Sequence, residues 1–182
     1  MTGESMLEEL RREHETVLEG VRAMIAEVER VERGAAEPTP EAMAACRQRV
    51  HSLRKAFTIH RCHEEVALFP EVEQFVARGA PRVDILGSFF AGEAEEDINA
   101  HVEIEDQLQQ IDALLQRLSK GENERAALGD TARALADLLA RHAKKEDTEI
   151  FPLMLRTLTE NQLNNIAERL AELCETGSER AT

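Results

Sequence analysis

LRKAFTIHRCHEEVALFP at residues 53–70 returns 82 residues later as LADLLARHAKKEDTEIFP at residues 135–152. Leu53, Phe57, His60, Glu64, Leu68, Phe69 and Pro70 correspond to Leu135, Leu139, His142, Glu146, Ile150, Phe151 and Pro152. Steps of three and four residues put the leucines, the phenylalanine, the histidines and the glutamates on one face of a helix. Within each copy His and Glu stand four apart, so His60/Glu64 and His142/Glu146 each point to one place. A helix whose buried stripe carries a histidine and a glutamate has to satisfy them. An unpartnered buried polar group costs roughly 1–3 kcal/mol.

Working outward, each copy has a helix before it. Ser5 followed by Glu8 reads as a capping box, and Leu7, His14, Leu18, Val21, Ile25, Val28 and Val31 then recur at helical spacing until Gly34. This predicts helix 1 over residues 6–33. Thr39 and Pro40 suit a cap and a first helical position, so helix 2 begins at 40 and carries Cys46, Val50, Leu53, Phe57, His60, Glu64 and Ala67 inward. It is expected to pass a kink at Pro70 and to stop near Arg78, before Gly79-Ala80-Pro81. Residues 80–92 read as a connector or short helix, with Asp84 as a cap and Phe89 and Phe90 filling the core.

Helix 3 is expected over 93–119 with Ile98, His101, Glu105, Leu108, Ile111, Leu115 and Leu118 inward, ending at Lys120-Gly121. Helix 4 runs from near Asn123 through Leu128, Ala132, Leu135, Leu139, His142 and Glu146, with a late kink at Pro152. Thr159 and Gln162 form a second capping box and open a short helix bearing Leu163, Ile166, Leu170 and Leu173, a brace over residues 160–175. The tail after Cys174 reads as disordered. The expected fold is all-α: an antiparallel up-down four-helix bundle over about 6–156 with an additional short C-terminal helix, in one domain spanning 1–182. The halves 1–78 and 93–156 read as two copies of a helix pair.

His14, His60, His101 and His142 lie 18–20 residues from the helix ends at one side of that bundle. At about 1.5 Å per residue all four reach one level, about 27–30 Å from that end. Four imidazoles and two carboxylates at one level make a metal site. The nitrogen and oxygen donors suit iron or manganese, with zinc or copper chemically open. His14 and His60 are assigned to one ion and His101 and His142 to the other, with Glu64 and Glu146 bridging, which leaves an open position on each ion.

HRCHEEVALFP and HAKKEDTEIFP, together with Glu13-His14, resemble the hemerythrin-like, or HHE, cation-binding domain, and the resemblance covers about 6–156. It implies that His14, His60, Glu64, His101, His142 and Glu146 are the ligands of a non-heme di-iron centre. Oxygen-carrying members have a fifth histidine, so that one iron is saturated and dioxygen binds the other. Here the helix 3 positions one turn from His101 are Asp97 and Glu105. The set is closer to the four-His, two-Glu arrangement of the family's iron-sulfur-repair proteins, without their separate cysteine-bearing N-terminal domain. The resemblance thus points to chemistry at two open metals: removal of peroxide, reaction with nitric oxide, or oxidation of ferrous iron. Manganese and zinc are the less favoured metals. The expected small molecules are O2, H2O2 and NO, with a reductase or an iron protein as a further partner. Binding or sensing of iron, oxygen or nitric oxide, and reversible dioxygen binding without catalysis, are the alternatives to turnover. Glu105 is the candidate catalytic residue, with Asp97 beside it, each an extra ligand or a proton donor.

Bulk composition bounds the rest. A net charge of −14, from 36 acidic and 22 basic side chains, disfavours nucleic acid and anionic membrane surfaces. There is no Trp and no Tyr, so aromatic platforms for bases are missing and no tyrosyl radical can form. Three cysteines, Cys46, Cys62 and Cys174, lack a C-x-x-C pair and read as free thiols in the cytoplasm. No leader and no stretch of 18 apolar residues is evident. Cys46 reads as packing, His51 as solvent-facing and His63 as a rim residue or a support for the ligands. Glu65 and Asp147 are candidates to orient the ligand histidines.

Overall fold

A computed structural model describes residues 2–32, 39–77 and 83–179, and among them every element is helical and no strand occurs. In chain order these are α1 (Gly3–Glu32), α2 (Pro40–Cys62), a π-turn (His63–Leu68), α3 (Phe69–Ala77), α4 (Val83–Ser119), α5 (Arg125–Lys145), a second π-turn (Glu146–Ile150), α6 (Phe151–Thr157) and α7 (Glu160–Glu179). No helix among the described residues is long and apolar enough to cross a membrane.

The chain folds as two compact units. The first comprises residues 14–58 and 100–142, that is, stretches of α1, α2, α4 and α5. Their contacts fix direction. Glu27 late in α1 meets Arg49 at 3.7 Å, and Glu32 at its end meets Arg133 early in α5 at 2.9 Å. Arg47 early in α2 meets Asp112 late in α4 at 2.9 Å, and Arg54 meets Glu105. Late residues meet early ones each time, so α1 is antiparallel to both α2 and α5, and α2 to α4. These surface ion pairs mark register and add little stability. The unit is therefore an up-down four-helix bundle around Val17, Val21, Met24, Val28, Val50, Leu53, Phe57, Ile104, Leu108, Ile111, Leu115, Leu135 and Leu139.

The second unit comprises residues 1–13, 59–99 and 143–182. Its core gathers Met6, Leu7 and Leu10 of α1, then Leu68, Phe69, Val72 and Phe75, then Ile150, Phe151 and Met154, and finally Leu163, Ile166 and Leu170 of α7. α7 packs on the π-turn at His63–Leu68. The brace expected at the C-terminus thus lies on the segment that carries Glu64.

Helix ends follow local chemistry, in one case one step off the expectation. The box that opens α1 is Thr2 with Ser5: the Thr2 N–H donates to Ser5 Oγ at 2.9 Å, and the Ser5 N–H to Thr2 Oγ1 at 3.2 Å. Glu8, expected to close a box with Ser5, pairs with Arg11 at 2.5 Å instead. Thr39 caps α2 through the Ala42 N–H at 3.2 Å, and Thr159 with Gln162 caps α7 as expected. α4 ends in a Schellman turn: Gly121, at φ 86°, and Glu122 donate to the carbonyls of Leu118 and Arg117.

Four further expectations are corrected. Residues 83–92 belong to α4, which starts at Val83, so Asp84 lies inside the helix and does not cap it. The side chains of Asp84, Phe89 and Phe90 lie outside the described residues. The inward seam of α4 is Asp97, His101, Ile104, Leu108, Ile111, Leu115 and Leu118, an alternation of four and three; Ile98 is 42% exposed and Asp97 only 2%. α7 continues to Glu179, past the point where a disordered tail was expected. Finally, the kinks expected at Pro70 and Pro152 are π-turns placed before them. The Phe69 N–H donates to the Glu64 carbonyl and the Phe151 N–H to the Glu146 carbonyl, five residues back in each case. α-Helix resumes at Phe69 and Phe151, so each proline sits in a first turn, where its missing N–H has no partner to lose. The two turns keep the 82-residue offset of the sequence repeat.

Candidate metal centre

Eight polar residues are buried: His14, His60, His63, Glu64, Asp97, His101, His142 and Glu146. They include all six residues read as ligands.

In the second unit the centre of charge is His60. Its Nε2 lies 3.4 Å from Glu64 Oε2 and 3.9 Å from Glu146 Oε2. Its Nδ1 lies 3.2 Å from Glu13 Oε2, and His63 Nδ1 lies 2.7 Å from Glu13 Oε1. Burial by itself lowers the pKa of His60, but the charge of Glu64, the hydrogen bond to Glu13 and the charge of Asp97 carry it above the ordinary imidazole value. Glu13 goes the other way. Burial raises its carboxyl, while hydrogen bonds from His60 and His63 outweigh that and bring it below the usual range. Glu146 is pushed well above that range, first by burial and then by the charges of Glu64 and Asp97.

In the bundle unit the centre is a trio of imidazoles. His101 and His142 bring their Nε2 atoms to 3.1 Å, and the ring centroids of His14 and His142 are 6.3 Å apart. Phe57 packs edge-on against His101, with centroids at 5.6 Å. Two nitrogens each about 2.0–2.1 Å from one ion, at roughly a right angle, are themselves about 3 Å apart. The His101–His142 separation fits that geometry.

The donor chemistry therefore suits a cation. Three carboxylates buried to 2% exposure or less carry like charge at close quarters, a costly arrangement that a cation offsets. His60 donates from Nδ1 to Glu13, which leaves an Nε2 lone pair facing carboxylate oxygens, a repulsive pairing unless a proton or an ion stands between. The described residues hold a His/Glu cluster able to bind metal, with three donor sets: His60, Glu64, His101 and His142; His14, His60, Glu64 and Glu146; and Asp97, His142 and Glu146.

The remaining candidates divide cleanly. Of the two helix 3 carboxylates, Asp97 enters a donor set, whereas Glu105 turns to the Arg54 guanidinium. Glu65 faces Arg61 at 3.6 Å and Asp147 faces Arg11 at 3.7 Å. His51 is exposed, Cys46 is packed in the bundle core and Cys62 is half-buried. The carboxylate that does meet a ligand histidine from behind is Glu13. The sequence reading passed over it, although it stands beside His14 in the motif singled out there.

The sequence model described as "Hemerythrin HHE cation binding domain" matches residues 5–154 and matches again over residues 93–176. No curated protein matches the chain. With the fold all-helical, the His/Glu cluster able to hold metal and the match running over most of its length, the chain belongs to the hemerythrin HHE cation-binding family.

Proposed function

We propose that this chain is a non-heme di-iron protein that removes a small oxidant or gas, peroxide or nitric oxide, at a centre held by His14, His60, Glu64, His101, His142 and Glu146. The observation that carries the reading is the pairing of four buried imidazoles with two buried glutamates in a repeated His-x3-Glu pattern. Two glutamates serve as bridges and four histidines as terminal ligands, two to each ion. Bound iron supplies the redox change and the open coordination positions for the small molecule.

The chain's own residues set the conditions. Phe57 and the aliphatic core beside it keep bulk water from His101. Asp97 hydrogen-bonds Glu146 and so restricts where that carboxylate can turn. Glu64 and Glu146 neutralise part of the cationic charge that two irons bring, which favours a bridged pair over a single ion. Peroxide dismutation to water and dioxygen balances without an external donor. Nitric oxide reduction draws electrons from a reductase partner. The family match across residues 5–154 and 93–176 supports one functional domain over 1–182, and the unpaired thiols favour the cytoplasm.

The test is consumption of peroxide and of nitric oxide by iron-loaded protein against its Glu64→Ala and Glu146→Ala variants, with optical spectra before and after each ligand. Turnover that both variants lose supports the reading. Wild-type protein with two irons that consumes neither faster than the variants overturns it. Stoichiometric binding without turnover would move the assignment to gas binding or sensing.

A further inference from the structure

We infer that Glu13 is a positioning residue for the metal centre, a carboxylate that fixes the tautomer and ring plane of His60 while being held by His63. The inference rests on the metal reading above.

The geometry is two-pronged. Each oxygen of one carboxylate receives a different imidazole: Oε2 meets His60 Nδ1 at 3.2 Å and Oε1 meets His63 Nδ1 at 2.7 Å. An imidazole that donates from Nδ1 has its lone pair on Nε2. For His60 that nitrogen is the one facing Glu64 and Glu146, at 3.4 and 3.9 Å. Glu13 therefore decides which nitrogen is offered to an ion. Without it the neutral ring is free to carry its proton on Nε2, the form that cannot bind metal.

His63 explains why Glu13 can do this. Glutamate loses roughly 1.5–2 kcal/mol of side-chain freedom when it is held. The shorter bond to His63, itself only 7% exposed, fixes the carboxylate before His60 uses it. His63 is also the first residue of the π-turn, so the clamp ties α1 to the segment that presents Glu64. Glu13 is not itself a donor to the ion, because both its oxygens are turned to the outer nitrogens of the two rings.

The experiment uses the full chain with Glu13→Ala, Glu13→Gln, Glu13→Asp and His63→Ala. Iron(II) affinity is read anaerobically by competition with a chelator of known strength. Imidazole tautomers are read from long-range proton–nitrogen correlations on zinc-loaded and on metal-free protein. Removing such a support costs about ten- to a hundredfold in affinity. That loss is expected for E13A and E13Q, a smaller one for H63A, and partial recovery in E13D. The His60 proton should leave Nδ1 in E13A. An E13A chain with wild-type affinity and His60 still protonated at Nδ1 overturns the inference. A wild type that takes up no iron or zinc sinks the metal reading, while the metal-free tautomers still decide the role of Glu13. E13Q keeps the side-chain volume and serves if E13A does not fold.

Discussion

Two glycines make opposing predictions for the same substitution. A Cβ placed on Gly3 would lie 2.2 Å from Leu163 Cβ and 2.8 Å from the Leu163 carbonyl carbon, so the obstacle is backbone and cannot rotate away. Ordinary carbon contacts are about 3.5–4.0 Å. The start of α1 and α7 would therefore have to part by more than about 1 Å. That movement would strain the Gly3 N–H bond to Asn164 Oδ1, now 2.9 Å, and loosen Leu163, Ile166 and Leu170 from the core they share with Met6 and Leu7. Overpacking of this kind costs about 1–3 kcal/mol, of which replacing glycine in a helix returns about 0.5–1 kcal/mol. The net loss of about 1–2 kcal/mol lowers Tm by about 2–8 °C in a chain of this size. At Gly92, inside α4, an added Cβ meets nothing within 4 Å. Gly92→Ala keeps only the favourable term and should raise Tm by about 1–4 °C. Thermal melts of the two variants followed by circular dichroism give the answer. If Gly3→Ala melts at or above wild type, the close docking of α7 on the first turn of α1 is wrong.

Metal removal should lower stability by the linkage term, about 2.7 kcal/mol when free iron had stood at a hundred times its dissociation constant; a chelated sample whose melt is unmoved contradicts a resident ion. Phe57→Ala deletes a ring buried to 1% exposure, so it should cost about 3–5 kcal/mol and weaken iron retention by freeing His101, as metal analysis after gel filtration will report. Burial, with the charge of Glu27, raises the Cys46 thiol above its ordinary value. The native state thus favours the protonated thiol, a stabilisation present at low pH and lost as pH rises through the raised pKa. Iodoacetamide should consequently modify half-buried Cys62 first and reach Cys46 only at strongly alkaline pH, in peptide mapping of the native protein. Glu105→Gln removes a partner of Arg54 outside the donor sets, so iron affinity within twofold of wild type is expected.

Much of this was legible in the sequence because the polar residues interrupt an otherwise apolar stripe. Cys46, Val50, Leu53, Phe57, His60, Glu64 and Ala67 all came out buried, as their spacing required. α4 was read less well. Ile98 attracts an inward assignment by hydropathy and Asp97 repels one, yet the seam through His101 and Ile104 passes through Asp97. A carboxylate is buried there because its partner is Glu146, a long-range relation that no local pattern encodes. Glu13 escaped for a similar reason. It looks like one more acid on the outer face of α1, and only the approach of His60 and His63, 47 and 50 residues away, separates it from the others. The start of α1 shows competition between equivalent local signals: Thr2-Ser5 and Ser5-Glu8 both suit a cap, and the contact of Gly3 with α7 selects the earlier one.

The π-turns at His63–Leu68 and Glu146–Ile150 carry a consequence for how such a chain can vary in length. Each turn holds one residue more than an α-helix of the same span would need. Losing a residue between Glu64 and Phe69 would wind the downstream helix back by about 100° and 1.5 Å, swinging Phe69, Val72 and Phe75 off the core they now fill. The same applies between Glu146 and Phe151, with Met154 and Leu158 as the residues displaced. Insertions and deletions are usually absorbed by surface loops. Here two stretches of unbroken helix are the phase-setting joints of the chain, and natural length variation among related sequences should stop at both.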